Sequence, residues 1–177
     1  MQWWVSMIAL GALSLAGCGK VEQAPGSSGK TLCFDYYQRC VNRVFADVQM
    51  FGALPTATSN CTASGCHQAG VGPGGALKLH PGLSPFTLTT PTADRSTQMY
   101  ANFLSAKGSS NLTDSRQSFL IKKPLVEVFH GGGKIFPDET VRGIQEFRFW
   151  ISQKVDDEFA AQCTSLFNPP ASTTCQF

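Results

Sequence analysis

Histidine is scarce in this chain, with three in 177 residues. None of them sits in an H-E-x-x-H setting, and there is no G-x-S-x-G elbow, P-loop or dinucleotide fingerprint. Those absences leave serine-hydrolase, zincin and nucleotide-dependent chemistry without a carrier. Charge is also sparse: Asp, Glu, Lys and Arg make up 15% of the residues and the net charge is +2. Nucleic-acid binding requires a basic stripe that neutralises phosphates, and this composition does not supply one. No apolar run is long enough to cross a bilayer, which takes roughly 20 residues. The longest, Val5 to Ala16 (VSMIALGALSLA), is about a dozen, the length of a signal-peptide core. No alternating strand pattern persists between Asn60 and Ser96, and the chain shows no internal repeat.

What remains is a chain of one-domain length with 42% hydrophobic residues, enough to exclude wholesale disorder. Glycine (17) and proline (10) are plentiful enough to imply long loops, and seven cysteines ask for an assignment.

The apolar run ends in Leu15-Ala16-Gly17-Cys18, which resembles the lipobox of bacterial lipoproteins. The resemblance implies cleavage before Cys18 and diacylglycerol on its thiol. Met1-Gln2-Trp3-Trp4 departs from the usual basic start, leaving the α-amine as the sole positive charge. Gly19 in place of Asp implies, by the same resemblance, an outer-membrane destination. Residues 1–17 are thus read as signal peptide, and 18–30 as a lipidated N-terminus and flexible Pro/Gly/Ser tether. Export places the other cysteines in an oxidising compartment.

Steps of three and four mark one helical face from Cys33 to Phe51 (Phe34, Tyr37, Val41, Val44, Phe45, Val48), and a second from Val141 to Phe159 (Ile144, Phe147, Ile151, Val155). Asp138 and Glu139 suit the start of the latter, and Gly143 weakens it slightly. Thr97 to Lys107 predicts a shorter helix capped by Gly108. Between Asn60 and Ser96, Gly and Pro punctuate the chain throughout. Such a loop needs something to pack around, and a buried prosthetic group would serve.

Cys61-Thr62-Ala63-Ser64-Gly65-Cys66-His67 is the most informative stretch. C-x-x-C-H attaches c-type haem: the thiols add across its vinyl groups, and the histidine is held under the iron. The spacing here, C-x4-C-H, is two residues longer and resembles a variant found in some c-type cytochromes. A Cys61–Cys66 disulfide, or zinc held with His67 and His80, are the alternatives from these residues alone.

Further along stand Gly74-Gly75-Ala76-Leu77-Lys78-Leu79, Ser118-Phe119-Leu120-Ile121-Lys122-Lys123-Pro124-Leu125, His130-Gly131-Gly132-Gly133-Lys134-Ile135-Phe136 and Phe149-Trp150-Ile151. In this order they resemble the cytochrome-c-like domains of planctomycete and related proteobacterial proteins, over Leu32 to Ser152. The resemblance implies a mainly α, small cytochrome-c-like helical domain (31–163) with long irregular loops wrapped round one haem c. It implies Cys61 and Cys66 as covalent attachment points and His67 as an axial ligand. His130 matches the family's HGGG turn and is the expected sixth ligand. Met99 is the alternative, ahead of His80 and Met50. Lys122 and Lys123 are candidate propionate partners.

Cys33, Cys40, Cys163 and Cys175 remain, an even number. Cys33 and Cys40 lie about 10.5 Å apart along a continuous helix, beyond the roughly 7 Å limit between bonded Cα atoms. Two disulfides from the first helix to the C-terminal region are therefore expected, with Cys40–Cys163 and Cys33–Cys175 the preferred pairing and residues 164–177 a tied tail. The functional expectation is a lipid-anchored, periplasm-facing outer-membrane electron carrier rather than an enzyme, with redox proteins as partners and no nucleic acid or small-molecule substrate; an open sixth site would instead make it a haem sensor or enzyme. The alternative is a haem-free, disulfide-stapled lipoprotein acting as an interaction or assembly module.

Overall fold

The computed structural model describes residues 29–168 and 174–177. The signal peptide, Cys18 and most of the tether lie outside the described residues.

The first helical stretch is built of α1 (Phe34–Tyr36), a π turn (Tyr37–Val41) and α2 (Asn42–Ala46). It is shorter than the periodicity predicts. Asp47 leaves helical space at φ −150°, its carboxylate accepts the Met50 N–H at 3.1 Å, and a 3-10 turn (Gln49–Phe51) carries the apolar pattern onward. A short helix within the supposed loop, α3 (Pro91–Arg95), starts at Thr90, whose hydroxyl accepts the Ala93 N–H, with Pro at the first helical position. The α4 helix (Gln98–Gly108) follows the expected 97–107 span, with Thr97 as its N-cap. Gly108 is its last residue rather than a left-handed cap, and Ser109 closes it. A 3-10 turn (Ser115–Gln117) leads into α5 (Phe119–Lys122).

The last long helix, α6 (Arg142–Ser152), stops well short of Phe159. Just beyond it, β2 (Lys154–Val155) pairs antiparallel with β1 (Thr31–Leu32), Thr31 opposite Val155. Val155 stays buried, so the apolar period survives where the helix does not. Asp138 accepts from Thr140 through both backbone and hydroxyl and so shapes the turn ahead of α6 rather than capping it.

The core is an aromatic cluster where the first helical stretch crosses α4 and α6. Tyr37 packs on Trp150 (5.3 Å between centroids) and Phe103 (5.6 Å), and Phe34 packs on Phe103 and Tyr100, both at 5.4 Å. Trp150 is fully buried and its Nε1–H donates to the Cys33 carbonyl at 3.0 Å. Gly143 is there for closeness: a Cβ would fall 2.7 Å from Phe136 Cζ and 3.1 Å from Val44 Cγ1, so its small helix penalty permits the crossing.

Two disulfides tie the first helical stretch to the C-terminal region as expected, but the pairing is Cys33–Cys163 and Cys40–Cys175. The reason is the route of the chain. The Phe34 N–H donates to the Glu158 carbonyl at 2.9 Å, so the segment after β2 arrives beside the start of α1 and meets Cys33 first. The tail then runs towards the later turns and reaches Cys40. There the Gln176 N–H donates to the Tyr36 hydroxyl (3.2 Å), and the Phe177 N–H to Glu146 (3.2 Å). Glu146 is fully buried and also accepts the Tyr36 hydroxyl at 2.7 Å. Burial nonetheless raises its carboxyl above the usual range, outweighing those bonds.

Candidate functional site

The site is assembled from loops that buried polar side chains of the helices hold in place. Gln38 on the first helical stretch clamps Phe86 through both backbone groups, at 3.0 and 3.1 Å. Asn102 on α4 does the same for His80, accepting its N–H at 2.6 Å and donating to its carbonyl at 2.9 Å. These amides pin a connection that has almost no regular structure. His80 thereby serves as a backbone anchor. Asn102 is a residue that the sequence reading missed; its signal was a polar side chain in register with the buried Met99, Phe103 and Ala106.

The C-x4-C-H segment is a compact knot of turns. The His67 N–H donates to the Cys61 carbonyl at 3.0 Å, and the Cys66 N–H to Ala63 at 2.9 Å. Beyond it the chain doubles back: Gly74 N–H donates to Cys66 O and Leu79 N–H to His67 O, both at 2.8 Å, with Gln68 and Leu79 forming a parallel bridge. The approach is too close for any side chain. A Cβ on Gly72 would lie 2.6 Å from Cys66 O, and one on Gly74 2.5 Å from both Cys66 O and His67 Nδ1. Two glycines one residue apart just after the motif were the readable trace of this contact.

His67 is half-buried, and its Nδ1 lies 2.7 Å from Gly74 O and 3.0 Å from Leu77 O. Carbonyls only accept, so Nδ1 carries the proton and Nε2 keeps its lone pair. Burial pushes the His67 pKa down, outweighing the Leu77 and Gly74 carbonyls that raise it, and the nearby His130 and Lys123 add to the lowering. His130, on the glycine turn after α5, repeats the pattern: its Nδ1 lies 2.8 Å from Gly133 O. Among the described residues neither Nε2 makes a hydrogen bond.

The structure brings these two rings together. Their centroids are 6.2 Å apart and their planes diverge by only 12°. Where two imidazole nitrogens face each other across a metal at about 2.0 Å from each, with about 1.1 to 1.2 Å more to each ring centre, the centroids would be roughly 6.3 Å apart. A backbone carbonyl on the far nitrogen of each ring is the usual device for orienting a metal-binding histidine.

Cys61 and Cys66 are both free thiols, whereas the other four described cysteines are paired. Burial, with Cys66 beside it, pushes the Cys61 thiol up to about 12, so it stays protonated. Among the described residues no three His, Cys, Asp or Glu side chains gather as a metal ion requires, so the zinc set with His80 is not assembled. Met99 is 2% exposed in the core, and Met50 is exposed beyond α2. Trp150 and Phe147 are core residues, while Phe149 packs on Tyr36 and Phe177. Lys122 donates to Gln117 at 3.0 Å, and the Lys123 ammonium sits 5.3 Å from the Phe119 ring centre.

Two imidazoles without a partner on Nε2 and two unpaired thiols are the donor set that a covalently attached haem would use. Val71 lies on the loop following His67, while Val126 and Phe129 lie on the segment leading to His130. All three side chains are exposed, Phe129 by 90%. Single exposed apolar residues are ordinary, but these three border the segments that carry the paired imidazoles.

Compared with protein-family models, curated proteins and solved structures, the chain matches none. Among the described residues no helix is long and apolar enough to cross a membrane.

Proposed function

We propose that this chain is a monohaem c-type cytochrome that carries single electrons, with haem c joined to Cys61 and Cys66 and with His67 and His130 as axial ligands. The observation that carries the reading is the near-parallel His67–His130 pair at 6.2 Å, each ring anchored through Nδ1 to a carbonyl. When bound, the group supplies a one-electron iron couple.

The chain's residues do the rest. His67 presents a neutral Nε2 from a position fixed to α4 through the Leu79–His80 loop and Asn102. Cys61 and Cys66 would hold the group through thioethers, and burial keeps the Cys61 thiol protonated before attachment. Two imidazole ligands favour a lower potential than a His/Met pair. The haem-free alternative calls for a Cys61–Cys66 bond, whereas both side chains are thiols here.

The same proposal places the protein on the outer membrane, facing the periplasm through lipid on Cys18, with redox proteins as partners. The test is an absorption spectrum of protein from its native host, oxidised and then reduced with dithionite, followed by acid-acetone extraction and pyridine haemochrome. A sharp c-type α-band and haem that resists extraction support the proposal. A colourless protein with Cys61 joined to Cys66 sinks it.

A further inference from the structure

The two imidazoles are held very unequally. His67 is fixed by two carbonyls on Nδ1, by hydrogen bonds on both sides of its own peptide, and by a Gly74 contact too tight for a methyl group. His130 has one partner, the carbonyl of Gly133 three residues on, within the same turn; the Gly133 N–H in turn donates to His130 O at 2.9 Å. Among the described residues no hydrogen bond in that turn ties His130 to the core.

The segment carrying it is a flap with a fixed base. Ile135 and Phe136 both donate to Pro124 O (2.8 and 3.2 Å), Leu54 N–H donates to Ile135 O (2.8 Å), and Phe136 is fully buried under Gly143. Between those ties, the hydrogen bonds of Val126 and Glu127 reach back only to Lys123 and Lys122. Val126 holds φ +61°, a strained setting for a β-branched residue, at one shoulder, and Gly133 holds φ +71° at the other. The tip is Phe129, 90% exposed, followed by His130 and three exposed glycines. A segment with few buried contacts and hinge-like ends has the low local stability of elements that move.

We propose that His130 is a displaceable ligand, and that the position it vacates binds a small external lone-pair donor of the carbon monoxide, cyanide or free imidazole class while His67 stays bound. This rests on the haem reading above and adds ligand binding to it. No covalent bond within the chain changes: the His130 Nε2 lone pair leaves, the incoming donor's takes its place, and the flap swings on Val126 and Gly133.

The experiment uses the full chain carrying covalent haem, reduced with dithionite and mixed with carbon monoxide while the Soret band is followed. Binding to the wild type is expected to reach a rate plateau as the gas concentration rises, because His130 departure becomes limiting. Gly131 has open space around it and no positive φ, so Gly131→Ala restricts the flap without a clash. It is expected to lower the plateau by about twofold to fivefold. In His130→Ala the plateau disappears and the rate rises linearly with gas concentration. A low-spin wild type that ignores carbon monoxide for hours overturns the proposal, as does a plateau that persists in His130→Ala. Failure of the haem reading looks different: no covalently retained haem before any gas is added.

Discussion

Adding one methyl group at Gly74 tests whether the loop after the motif truly grips His67. Its backbone φ lies outside the left-handed region, so alanine is acceptable there on conformational grounds and the whole cost is steric. The new Cβ would meet Cys66 O and His67 Nδ1 at 2.5 Å and His67 Cε1 at 2.8 Å. Neither neighbour yields cheaply: the carbonyl is backbone already bonded to Gly74 N–H, and the imidazole is held by two acceptors. Overpacking of this kind costs about 1–3 kcal/mol. Weakening the Gly74–Cys66 and His67–Gly74 hydrogen bonds adds about 0.5–1.5 kcal/mol each. The smaller entropy of the unfolded alanine chain returns about 0.4–1 kcal/mol.

The expected net loss for Gly74→Ala is about 1–5.6 kcal/mol, which at a urea slope of about 2 kcal/mol/M lowers the midpoint by roughly 0.5–3 M. Gly65→Ala is the control, since nothing lies within 4 Å of its Cβ position and its φ is not positive. It should stay within about 0.5 kcal/mol of wild type. Urea unfolding of the haem-free, disulfide-intact protein followed by circular dichroism gives the energies. Nitrogen-15 NMR of the imidazoles gives the His67 tautomer, which should lose its Nδ1–H preference in Gly74→Ala alone. A Gly74→Ala protein with wild-type stability and an unchanged tautomer would refute the packing of the 66–79 loop on which the site depends.

The disulfide pairing is open to peptide mapping without reduction, because Arg39 and Phe167 offer tryptic and chymotryptic cuts between the relevant cysteines. Cys33–Cys163 and Cys40–Cys175 peptides are expected; Cys175→Ser should cost about 2–4 kcal/mol, and recovery of a Cys33–Cys175 peptide would overturn the tail's route. Glu146 has a folded pKa raised by burial, so its protonated form is the one that folding favours. Its contribution is present below the ordinary glutamate range and fades as pH rises through the folded pKa. The stability of wild type relative to Glu146→Gln should therefore improve as pH falls from 7 towards 4, measured by urea midpoints, and a gap that widens in favour of Glu146→Gln on acidification contradicts the burial argument.

Helices with an apolar face were legible because burial imposes the same period on the sequence that it imposes on the fold. The α4 helix matched to within a residue, its start written in Thr97. Endings were less legible. The first stretch stops at Asp47 and α6 stops at Ser152, yet Phe51 and Val155 beyond them remain buried and keep the pattern alive in turns and a two-residue strand. The disulfide partners were readable as a set but not as pairs, since the pairing depends on which end of the helix the returning chain meets first. In the site, Cys61, Cys66, His67 and His130 stood out by residue type, whereas Asn102 and Gly72 matter only through what they touch.

The loops can be irregular because the helices are not asked to be loops. The aromatic crossing of the first stretch with α4 and α6, closed by two bonds spanning 130 and 135 residues, constrains the unfolded chain through loops that take in most of its 177 residues. With stability vested there, the segments carrying His67 and His130 need only be positioned, and a few buried amides suffice for one of them. Gln38 and Asn102 anchor the His67 side by pairing with backbone rather than by adding apolar contact. No helix side chain does the same for the turn that carries His130. That asymmetry is where the fold leaves freedom, and it sits on one of the two proposed ligands rather than at the proposed attachment cysteines. On the haem reading proposed above, a protein built only to hold iron between two equal imidazoles would have clamped both.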